Sequence, residues 1–508
     1  MSTAIMIQGT GSGVGKSIMC AALCRIFFQD GVRVAPFKTQ NMSLNSCVTR
    51  DGREMARSQV VQAEAAGIEP VVEMNPILLK PHSETGCQVI VKGKVIGDYS
   101  AVEYGRYQHD IWASVEESYR SLSNRYDVIV IEGAGSPAEV NLKDRDIVNM
   151  RTAQMADAPV LLVADIDRGG VFASLVGTVE LLDPPERKRI KGFIINKFRG
   201  DVSLLAPGLD FLAARTGTPV LGVVPYYRDV HIQEEDGMAL GEQGTRAWTG
   251  TTGPSIKHRH DIDIAVVHLP HIANFTDFDP FAAEPGVQVR YISSPAEVDG
   301  ADVLILPGSK STIADLHWLR SSGLETAIKD YAADQGMVVG ICGGYQMLGF
   351  KISDSLGVDG SPSTAEGIGL LPIETEMAPL KQTLQVVGRP LASSFWESTH
   401  EVKGYEIHLG RTERHRDVGA AFQIATGAGE RREDGAIAAG IRVWGSYLHG
   451  LFESDGFRKS FLDGMRRRKG VGQSAAASYE QLKQEGFDRL ADIVRQSLDM
   501  EKIYELIR

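Results

Sequence analysis

The residues with the clearest chemical signature lie near the N-terminus, in the glycine-rich stretch GTGSGVGKS, Gly9 to Ser17. A strand-like apolar run precedes this stretch and a helix-like run follows it. A strand, a glycine loop and a helix N-terminus in this order direct backbone N–H groups and the helix dipole at a phosphate. The stretch therefore predicts a nucleotide-phosphate site, and a glycine-rich turn with a chance Lys-Ser pair is the alternative. Thr10 stands where the usual pattern has a glycine.

Within this loop, Lys16 is placed to reach the outer phosphates, and Ser17 to offer its hydroxyl to Mg²⁺. The candidate nucleotide-binding residues of the loop are Thr10, Gly11, Gly13, Val14, Gly15, Lys16 and Ser17.

Three residues outside the loop are candidates for the same site. Such a site needs an acidic metal ligand at the end of a neighbouring strand, and Glu132 ends the apolar run DVIVIE. Lys38 follows the run VRVAPF and could face a transferred phosphoryl group, and Asn196 in INKFRGD could bind a nucleobase. The alternatives are a solvated glutamate, a surface lysine and a turn-forming asparagine.

A second candidate centre lies in MVVGICGGYQMLG, where an apolar strand runs into Cys342 and a helical pattern. Flanking glycines permit a sharp strand-to-helix turn that exposes a nucleophile, and a helix N-terminus favours the thiolate. The N–H of Gly343 could stabilise an oxyanion, with a second donor from Gly308 or Ser309 in LPGSKST. The pattern predicts a cysteine nucleophile, with a small buried structural cysteine as the alternative.

A cysteine nucleophile needs a base. Among twelve histidines, His449 in GSYLHGLFE is the best candidate because it follows a strand-like run about a hundred residues downstream. His408 in KGYEIHLGRT is the rival, and either could instead be a structural histidine.

Composition limits the class of protein that carries these residues. The chain has 508 residues, so two or three domains are expected. The net charge of −12 argues against a general nucleic-acid binder. The sequence shows no spanning segment and no secretion signal, and the five cysteines suggest neither a disulfide framework nor a zinc site. A cytoplasmic protein that uses neither membrane nor nucleic acid is expected.

The organisation along the chain indicates an α/β protein with two α/β domains. Short apolar runs alternate with helix-length segments in residues 1–235, which predicts a doubly wound, mostly parallel sheet. Residues 236–260 are polar and glycine-rich, as in a linker. A second strand series fills 261–455, and 456–508 form a helical extension. Its apolar stripe (Phe487, Leu490, Ile493/Val494 and Leu498) is expected to pack on the second domain.

The N-terminal motifs resemble those of known families. The loop GTGSGVGKS is similar to that of dethiobiotin synthetase and its relatives, which have threonine at the position of Thr10 and activate a substrate carboxylate with ATP. Longer phrases resemble the cobyric acid synthase family, the glutamine-dependent amidating enzymes of cobalamin biosynthesis. These phrases are KTQNMSLNS from Lys38, NPILLKP from Asn75, EGAGSPAEVNL from Glu132 and VADIDRGGVFASLVGT from Val163.

The C-terminal motifs resemble class I glutamine amidotransferase domains, which have a flavodoxin-like fold. The pattern CxGxQ followed by a late histidine is matched by Cys342, Gly344, Gln346 and His449. Most members have glutamate two positions after the histidine, where this chain has Leu451. The nearest acid is Glu453, so a third residue that orients His449 is not identified. The cobyric acid synthase branch itself lacks that glutamate, and its GYEIHLG phrase is also present here.

Together the resemblances imply an ATP- and Mg²⁺-dependent amidoligase that takes ammonia from L-glutamine. The implied acceptor is a corrinoid, adenosylcobyrinic acid a,c-diamide, amidated at four peripheral carboxylates through acyl phosphates to give adenosylcobyric acid. Cobyrinic acid a,c-diamide synthase is the nearer alternative, and a partitioning-type nucleotide switch with an inert amidotransferase-like domain is the more distant one. The sequence leaves a homo-oligomer open.

Overall fold

The computed structural model describes residues 2–508 except 83–85, 228–229, 231, 234–260, 392–399, 417, 428, 439, 441 and 474–476. The chain forms two compact units. Unit 1 comprises Met1–Ser43, Glu54–Asp236 and Lys483–Arg508, and unit 2 comprises Leu44–Arg53 and Gly237–Leu482. The linker predicted at 236–260 lies outside the described residues. The predicted domain boundaries remain predictions.

Unit 1 is built on a six-stranded sheet in which every pair of neighbouring strands is parallel. From one edge to the other its strands are Val220–Pro225, Ile190–Phe198, Val160–Asp165, Thr3–Gly9, Val128–Glu132 and Val34–Phe37. The glycine loop follows the strand Thr3–Gly9, which lies between the strands that end at Asp165 and Glu132. Parallel strands deliver their carboxyl ends to one edge of a sheet, so this order brings the predicted phosphate and metal residues together.

A second, four-stranded sheet of unit 1 has the order Gln40–Met42, Ile77–Pro81, Gly86–Val91 and Lys94–Ser100. A short strand, Glu54–Ala56, completes the unit. Its helices are Lys16–Gln29, Arg57–Ala65, Ala101–Ser123, Met150–Met155, Val171–Leu181, Pro184–Arg187, Ala206–Thr216, most of Tyr479–Ser497, and Met500–Leu506, with 3₁₀ turns at Val72–Met74, Lys143–Arg145 and Val202–Leu205.

The C-terminal helices correct one expectation. Phe487, Leu490, Val494 and Leu498 are buried in the apolar core of unit 1, together with residues of the helix Lys16–Gln29. Arg25 on that helix also pairs with Asp488 at 2.7 Å. The stripe was correctly predicted to be a buried helix face, but the prediction that it packs on the second domain is wrong. An amphipathic pattern identifies the buried face of a helix and not the surface that covers it.

Unit 2 is also built on a six-stranded sheet. Its strands, in order, are Val287–Ile292, Ile262–Val267, Val303–Leu306, Met337–Ile341, Val443–Ser446 and Ala436–Ile437. All neighbouring pairs are parallel except the last, which is antiparallel. A mostly parallel sheet in each unit confirms the predicted α/β class.

The remaining elements of unit 2 form smaller sheets and short helices. One four-stranded sheet has the order Ser363–Glu366, Lys351–Asp354, Ile373–Glu376 and Arg411–Arg414, and a second has Val402–His408, Gln382–Pro390, Phe422–Thr426 and Arg431–Asp434. Ile272–Ala273 pairs with Gly308–Ser309, and Ser46–Val48 is a short strand. The helices are Asp279–Ala282, Thr312–Ser321, Leu324–Ala333, Gly343–Met347 and Asp455–Lys469, with 3₁₀ turns at Phe275–Phe278, Pro295–Val298 and Leu451–Glu453.

Unit 2 includes one stretch from the N-terminal part of the sequence, Leu44–Arg53, which we call the inserted segment. A backbone hydrogen bond from Gly52 N–H to Thr49 O closes a turn within it. Beside it lies the strand Gln382–Pro390, from which Thr383 Oγ1 donates to Gly52 O at 2.7 Å and Gln385 Nε2 donates to Val48 O. No pattern in the sequence indicates that these ten residues belong to a different unit from the residues before them.

Candidate active sites

The phosphate loop of unit 1 has the conformation that its glycines allow. Gly15 caps the helix Lys16–Gln29 in a left-handed conformation with φ of 102°. A Cβ atom there would lie 2.2 Å from Nδ2 of Asn196, so only glycine fits. Thr10 N–H donates to Val163 O at 3.0 Å where the strand passes into the loop. Thr10 therefore keeps a backbone hydrogen bond to the neighbouring strand and does not disrupt the loop.

Lys16 and Asn196 are directed into this loop. The Lys16 ammonium donates to Gly11 O at 2.7 Å and to Gly135 O at 3.1 Å. Asn196 is fully buried, and its Nδ2 donates to Val14 O at 2.9 Å. Its Oδ1 is a buried acceptor with no hydrogen-bond partner among the described residues. Asn196 lies within the strand Ile190–Phe198 and supports the loop, so the alternative of a turn-forming asparagine is wrong.

Glu132 lies at the centre of a buried polar cluster. Its Oε1 accepts from Ser17 Oγ at 2.8 Å and from Lys38 Nζ at 2.9 Å. The Lys38 and Glu132 side chains are only 5% and 1% exposed, which excludes both the surface lysine and the solvated glutamate. A hydroxyl and a carboxylate on adjacent elements are the hard oxygen ligands that Mg²⁺ prefers, so the residues present fit this ion.

Two residues of this cluster were missed from the sequence. Gln62 Nε2 donates to Glu132 Oε2 at 2.5 Å, and Gln59 Nε2 donates to the same oxygen at 3.3 Å. They lie three residues apart on the helix Arg57–Ala65 and therefore share a face. The spacing of the two glutamines, which places them on one face of a helix, was the signal available in the sequence.

A cavity of about 830 Å³ lies beside the adjacent strands Ile190–Phe198 and Val220–Pro225 of unit 1. Its lining includes Arg199, Pro225 and Tyr226. The Arg199 guanidinium lies 3.6 Å from the centroid of the Tyr226 ring. Arg199 is three positions after Asn196 in the sequence. A planar heteroaromatic group bound near Asn196 would therefore have the Arg199 guanidinium and the Tyr226 ring close to it.

In unit 2, Cys342 lies on the predicted sharp turn between the strand Met337–Ile341 and the helix Gly343–Met347. Its backbone has φ of 50° and ψ of −108°, a strained conformation for a residue with a side chain. Cys342 N–H donates to Ser446 O at 2.9 Å on the neighbouring strand, which holds the turn in place. Strain of this kind at a nucleophile turn is typical of acyl-transfer sites.

The predicted oxyanion loop approaches both Cys342 and the predicted base. A Cβ on Gly343 would lie 2.9 Å from Ser309 N, and a Cβ on Gly308 would lie 3.1 Å from Cε1 of His449. The structure therefore places the Gly308–Ser309 loop against both Gly343 and His449. Gln346 of the CxGxQ motif donates to Leu409 O at 2.9 Å and fixes the following helix.

His449 is hydrogen-bonded to Cys342. Its ring nitrogen Nδ1 is hydrogen-bonded to an aspartate. Its Nδ1 lies 2.6 Å from Asp277 Oδ2, and both side chains are buried, at 1% and 5% exposure. Asp277 Oδ1 accepts from the Gly450 N–H at 2.9 Å. The carboxylate that contacts His449 thus comes from the 3₁₀ turn Phe275–Phe278 and not from Glu453.

The electrostatics of His449 follow from these contacts. Burial alone lowers the pKa of His449, but the charge of Asp277 and the hydrogen bonds to Asp277 and Cys342 raise it to about 10. His408, the rival base, has the opposite environment. Burial and the charge of Arg432 lower the pKa of His408 to about 3, and its ring stacks on Tyr447 with 3.7 Å between centroids. The geometry favours His449 as the base.

The two sites define a class of protein: a nucleotide-binding unit joined to a glutamine amidotransferase unit. Residues 5–240 match the model of the CobQ/CobB/MinD/ParA nucleotide binding domain, and residues 263–457 match that of the CobB/CobQ-like glutamine amidotransferase domain. The described part of the chain contains no helix that is long and apolar enough to cross a membrane.

The particular family follows from relatives that match over the whole length. The chain is 49% identical to a cobyric acid synthase of Syntrophobacter fumaroxidans over 99% of this chain and 98% of that protein. It is 51% identical to a cobyric acid synthase of Citrobacter koseri over 100% of this chain and 99% of that protein. The chain belongs to the cobyric acid synthase family, glutamine-dependent amidoligases that amidate corrinoid carboxylates in cobalamin biosynthesis.

Proposed function

We propose that the chain converts adenosylcobyrinic acid a,c-diamide to adenosylcobyric acid by amidating four peripheral carboxylates. Each amidation uses one L-glutamine and one ATP. The observation that carries this proposal is that one unit contains the Cys342–His449–Asp277 arrangement and the other contains a phosphate-loop site with Ser17 bonded to Glu132. A carboxylate becomes an electrophile only when its oxygen is made a leaving group, so an ammonia source and an ATP site are needed together.

Unit 2 has the groups needed to release ammonia. The Cys342 thiolate attacks the side-chain amide carbon of glutamine, and the oxyanion that forms accepts N–H bonds from Gly343 and the Gly308–Ser309 loop. His449 gives a proton to the departing nitrogen, which leaves as ammonia. A γ-glutamyl thioester remains on Cys342. Water, deprotonated by His449, then releases glutamate and restores the thiol.

Asp277 positions the base in this scheme. Its carboxylate accepts a hydrogen bond from His449 Nδ1, so Nε2 is the nitrogen left to exchange protons with Cys342. The Gly450 N–H fixes the carboxylate itself. Asp277 therefore has the function that the late glutamate has in other class I amidotransferase domains.

Unit 1 has the groups needed to activate a carboxylate. The loop Thr10–Ser17 would hold the ATP phosphates, with Ser17 and Glu132 as ligands of Mg²⁺, which neutralises charge on the phosphates when bound. Lys38 would face the phosphoryl group passed to the substrate carboxylate. Ammonia displaces phosphate from the resulting acyl phosphate and gives the amide. Asn196 and the cavity lined by Arg199 and Tyr226 are proposed to take the nucleobase.

Product analysis with two precursors tests the proposed substrate. The purified protein is given ATP, Mg²⁺ and glutamine with either cobyrinic acid or adenosylcobyrinic acid a,c-diamide, and products are separated by mass. We expect the diamide to gain four amides. Conversion of cobyrinic acid alone, with products limited to a diamide, would assign the chain to the a,c-diamide reaction instead.

A further inference from the structure

The inserted segment is hydrogen-bonded to the turn that carries Asp277. The Ser46 N–H donates to Asn274 Oδ1 at 2.9 Å, and Thr276 Oγ1 donates to Asn45 Oδ1 at 3.1 Å. Asn274 and Thr276 lie on either side of the start of the 3₁₀ turn Phe275–Phe278. Asn274 has φ of 54°, in the left-handed region, where a non-glycine residue is kept by its surroundings. Two adjacent residues of the segment therefore hold the turn that presents Asp277.

Ser46 also reaches the imidazole ring of His449 through Tyr405. The Tyr405 hydroxyl donates to Ser46 O at 3.0 Å. Its ring stacks on the His449 imidazole with 5.4 Å between centroids and 22° between planes. Tyr405 and His449 also exchange backbone hydrogen bonds. Tyr405 N–H donates to His449 O at 3.1 Å, and His449 N–H donates to Tyr405 O at 2.9 Å. Ser46 is thus linked to His449 by the side chain of Tyr405, and to the turn that carries Asp277 by the side chain of Asn274.

This arrangement matters because catalytic geometry tolerates little error. A displacement of about 1 Å at a reacting group costs roughly 100-fold in rate. Tyr405, which stacks on the imidazole, is held by a hydrogen bond to Ser46. The turn that carries Asp277 is held by the hydrogen bonds of Thr276 to Asn45 and of Asn274 to Ser46. A small shift of Asn45 and Ser46 would change the aim of His449 without touching Cys342.

The inserted segment is continuous with residues of the nucleotide-binding unit. Ser46 follows Lys38 by eight positions in the sequence. Between them lies the strand Gln40–Met42, which pairs with Ile77–Pro81 in unit 1. Lys38 shares a carboxylate oxygen of Glu132 with Ser17. A metal held by Ser17 and Glu132 would compete with Lys38 for that oxygen, so occupancy of the nucleotide site would change the surroundings of Lys38.

We propose that Leu44–Arg53 is a positioning segment through which the occupied nucleotide site sets the glutaminase rate, with Tyr405 and Asn274 as its contacts to the His449 centre. This inference rests on the proposed function, in which ammonia is useful only when a carboxylate has been activated. A link of this kind limits the hydrolysis of glutamine to times when ATP and the acceptor are bound.

The test compares three variants of the full-length protein. Tyr405→Phe removes the hydroxyl that reaches Ser46 O, and Asn274→Gly removes the acceptor while tolerating positive φ. Tyr331→Phe is the matched control, because it removes a hydroxyl that donates to a backbone carbonyl of unit 2, Ala301 O at 3.2 Å. Glutaminase kcat and KM are measured with and without ATP, Mg²⁺ and the corrinoid diamide, and amidation is measured with ammonium chloride.

We expect the ratio of glutaminase kcat with ligands to kcat without them to fall about threefold to tenfold in Tyr405→Phe and Asn274→Gly, the range for one lost hydrogen bond. The KM for glutamine and the ammonium-driven amidation should stay at parental values. Tyr331→Phe should keep the parental ratio. Equal ratios in Tyr405→Phe, Asn274→Gly and the parent would overturn the proposal, as would a parental ratio of one. If the folded parent protein shows no ammonium-driven amidation, the proposed function itself would be refuted.

Discussion

Replacement of Asp277 by asparagine tests whether the aspartate is the residue that orients the base. The change keeps an oxygen for the Gly450 N–H but removes the negative charge 2.6 Å from His449 Nδ1. An amide can donate to Nδ1, which favours the tautomer with its proton on Nε2, the nitrogen that must exchange protons with Cys342. We therefore expect a fully folded protein with a misdirected base.

The magnitude follows from burial. The two side chains are 5% and 1% exposed, so water does not screen their interaction. A charge-assisted hydrogen bond is worth about 1.5–3 kcal/mol, which corresponds to roughly 10- to 150-fold in rate. The tautomer penalty adds to this, and the same change in a Ser-His-Asp triad costs about 10⁴-fold. We expect glutaminase kcat to fall about 10²- to 10⁴-fold in Asp277→Asn.

The assay measures glutamate release and, separately, amidation driven by ammonium. Glu453→Gln is the matched control, since it alters the acid nearest to His449 in the sequence, and it should change glutaminase kcat by less than about threefold. Amidation with ammonium should be parental in both variants. A glutaminase kcat within threefold of the parent in Asp277→Asn, or a large loss in Glu453→Gln, would refute the assignment.

Three further predictions concern both units. Gly15→Ala should abolish ATP binding measured by calorimetry, because its Cβ would lie 2.2 Å from Asn196 and its φ is 102°; ATP binding at parental affinity would contradict the loop geometry. Glu132→Gln should lower ammonium-driven amidation roughly 10²-fold by removing charge at the metal position, and unchanged activity at low Mg²⁺ would count against it. The pKa of His449, raised to about 10 by Asp277 and Cys342 against burial, makes its protonation stabilise the folded protein. That contribution is complete below the ordinary histidine pKa of about 6.5 and is lost as pH rises towards 10. Urea unfolding should therefore show the stability difference between the parent and Asp277→Asn shrinking from about pH 7 to about pH 9.5, and a constant difference would contradict it.

Much of the fold and part of each site could be predicted from local patterns. The glycine loop, the Glu132 strand end and the Cys342 turn are each encoded within about ten consecutive residues. The order of parallel strands then brings such segments to one edge of a sheet. The structure places Ser17, Lys38 and Glu132 in contact, and it places Gly308 beside His449.

The missed features depend on contacts between distant residues. Asp277 lies 172 positions before His449, while the pattern of related domains directed attention to Glu453 just after it. The inserted segment carries no periodicity that reveals its neighbours. The stripe from Phe487 to Leu498 indicated a buried face but not that unit 1 covers it. In each case, local sequence defines what a segment is, and tertiary packing decides what it contacts.

The division of chemistry between the two units is tested most directly by amidation of the corrinoid diamide with glutamine or with ammonium chloride in Cys342→Ser and Lys16→Ala. We predict that Cys342→Ser loses glutamine-driven amidation and keeps the ammonium-driven reaction, whereas Lys16→Ala loses both. Loss of the ammonium-driven reaction in a folded Cys342→Ser protein, or its survival in Lys16→Ala, would contradict the assignment of ammonia release to unit 2 and carboxylate activation to unit 1.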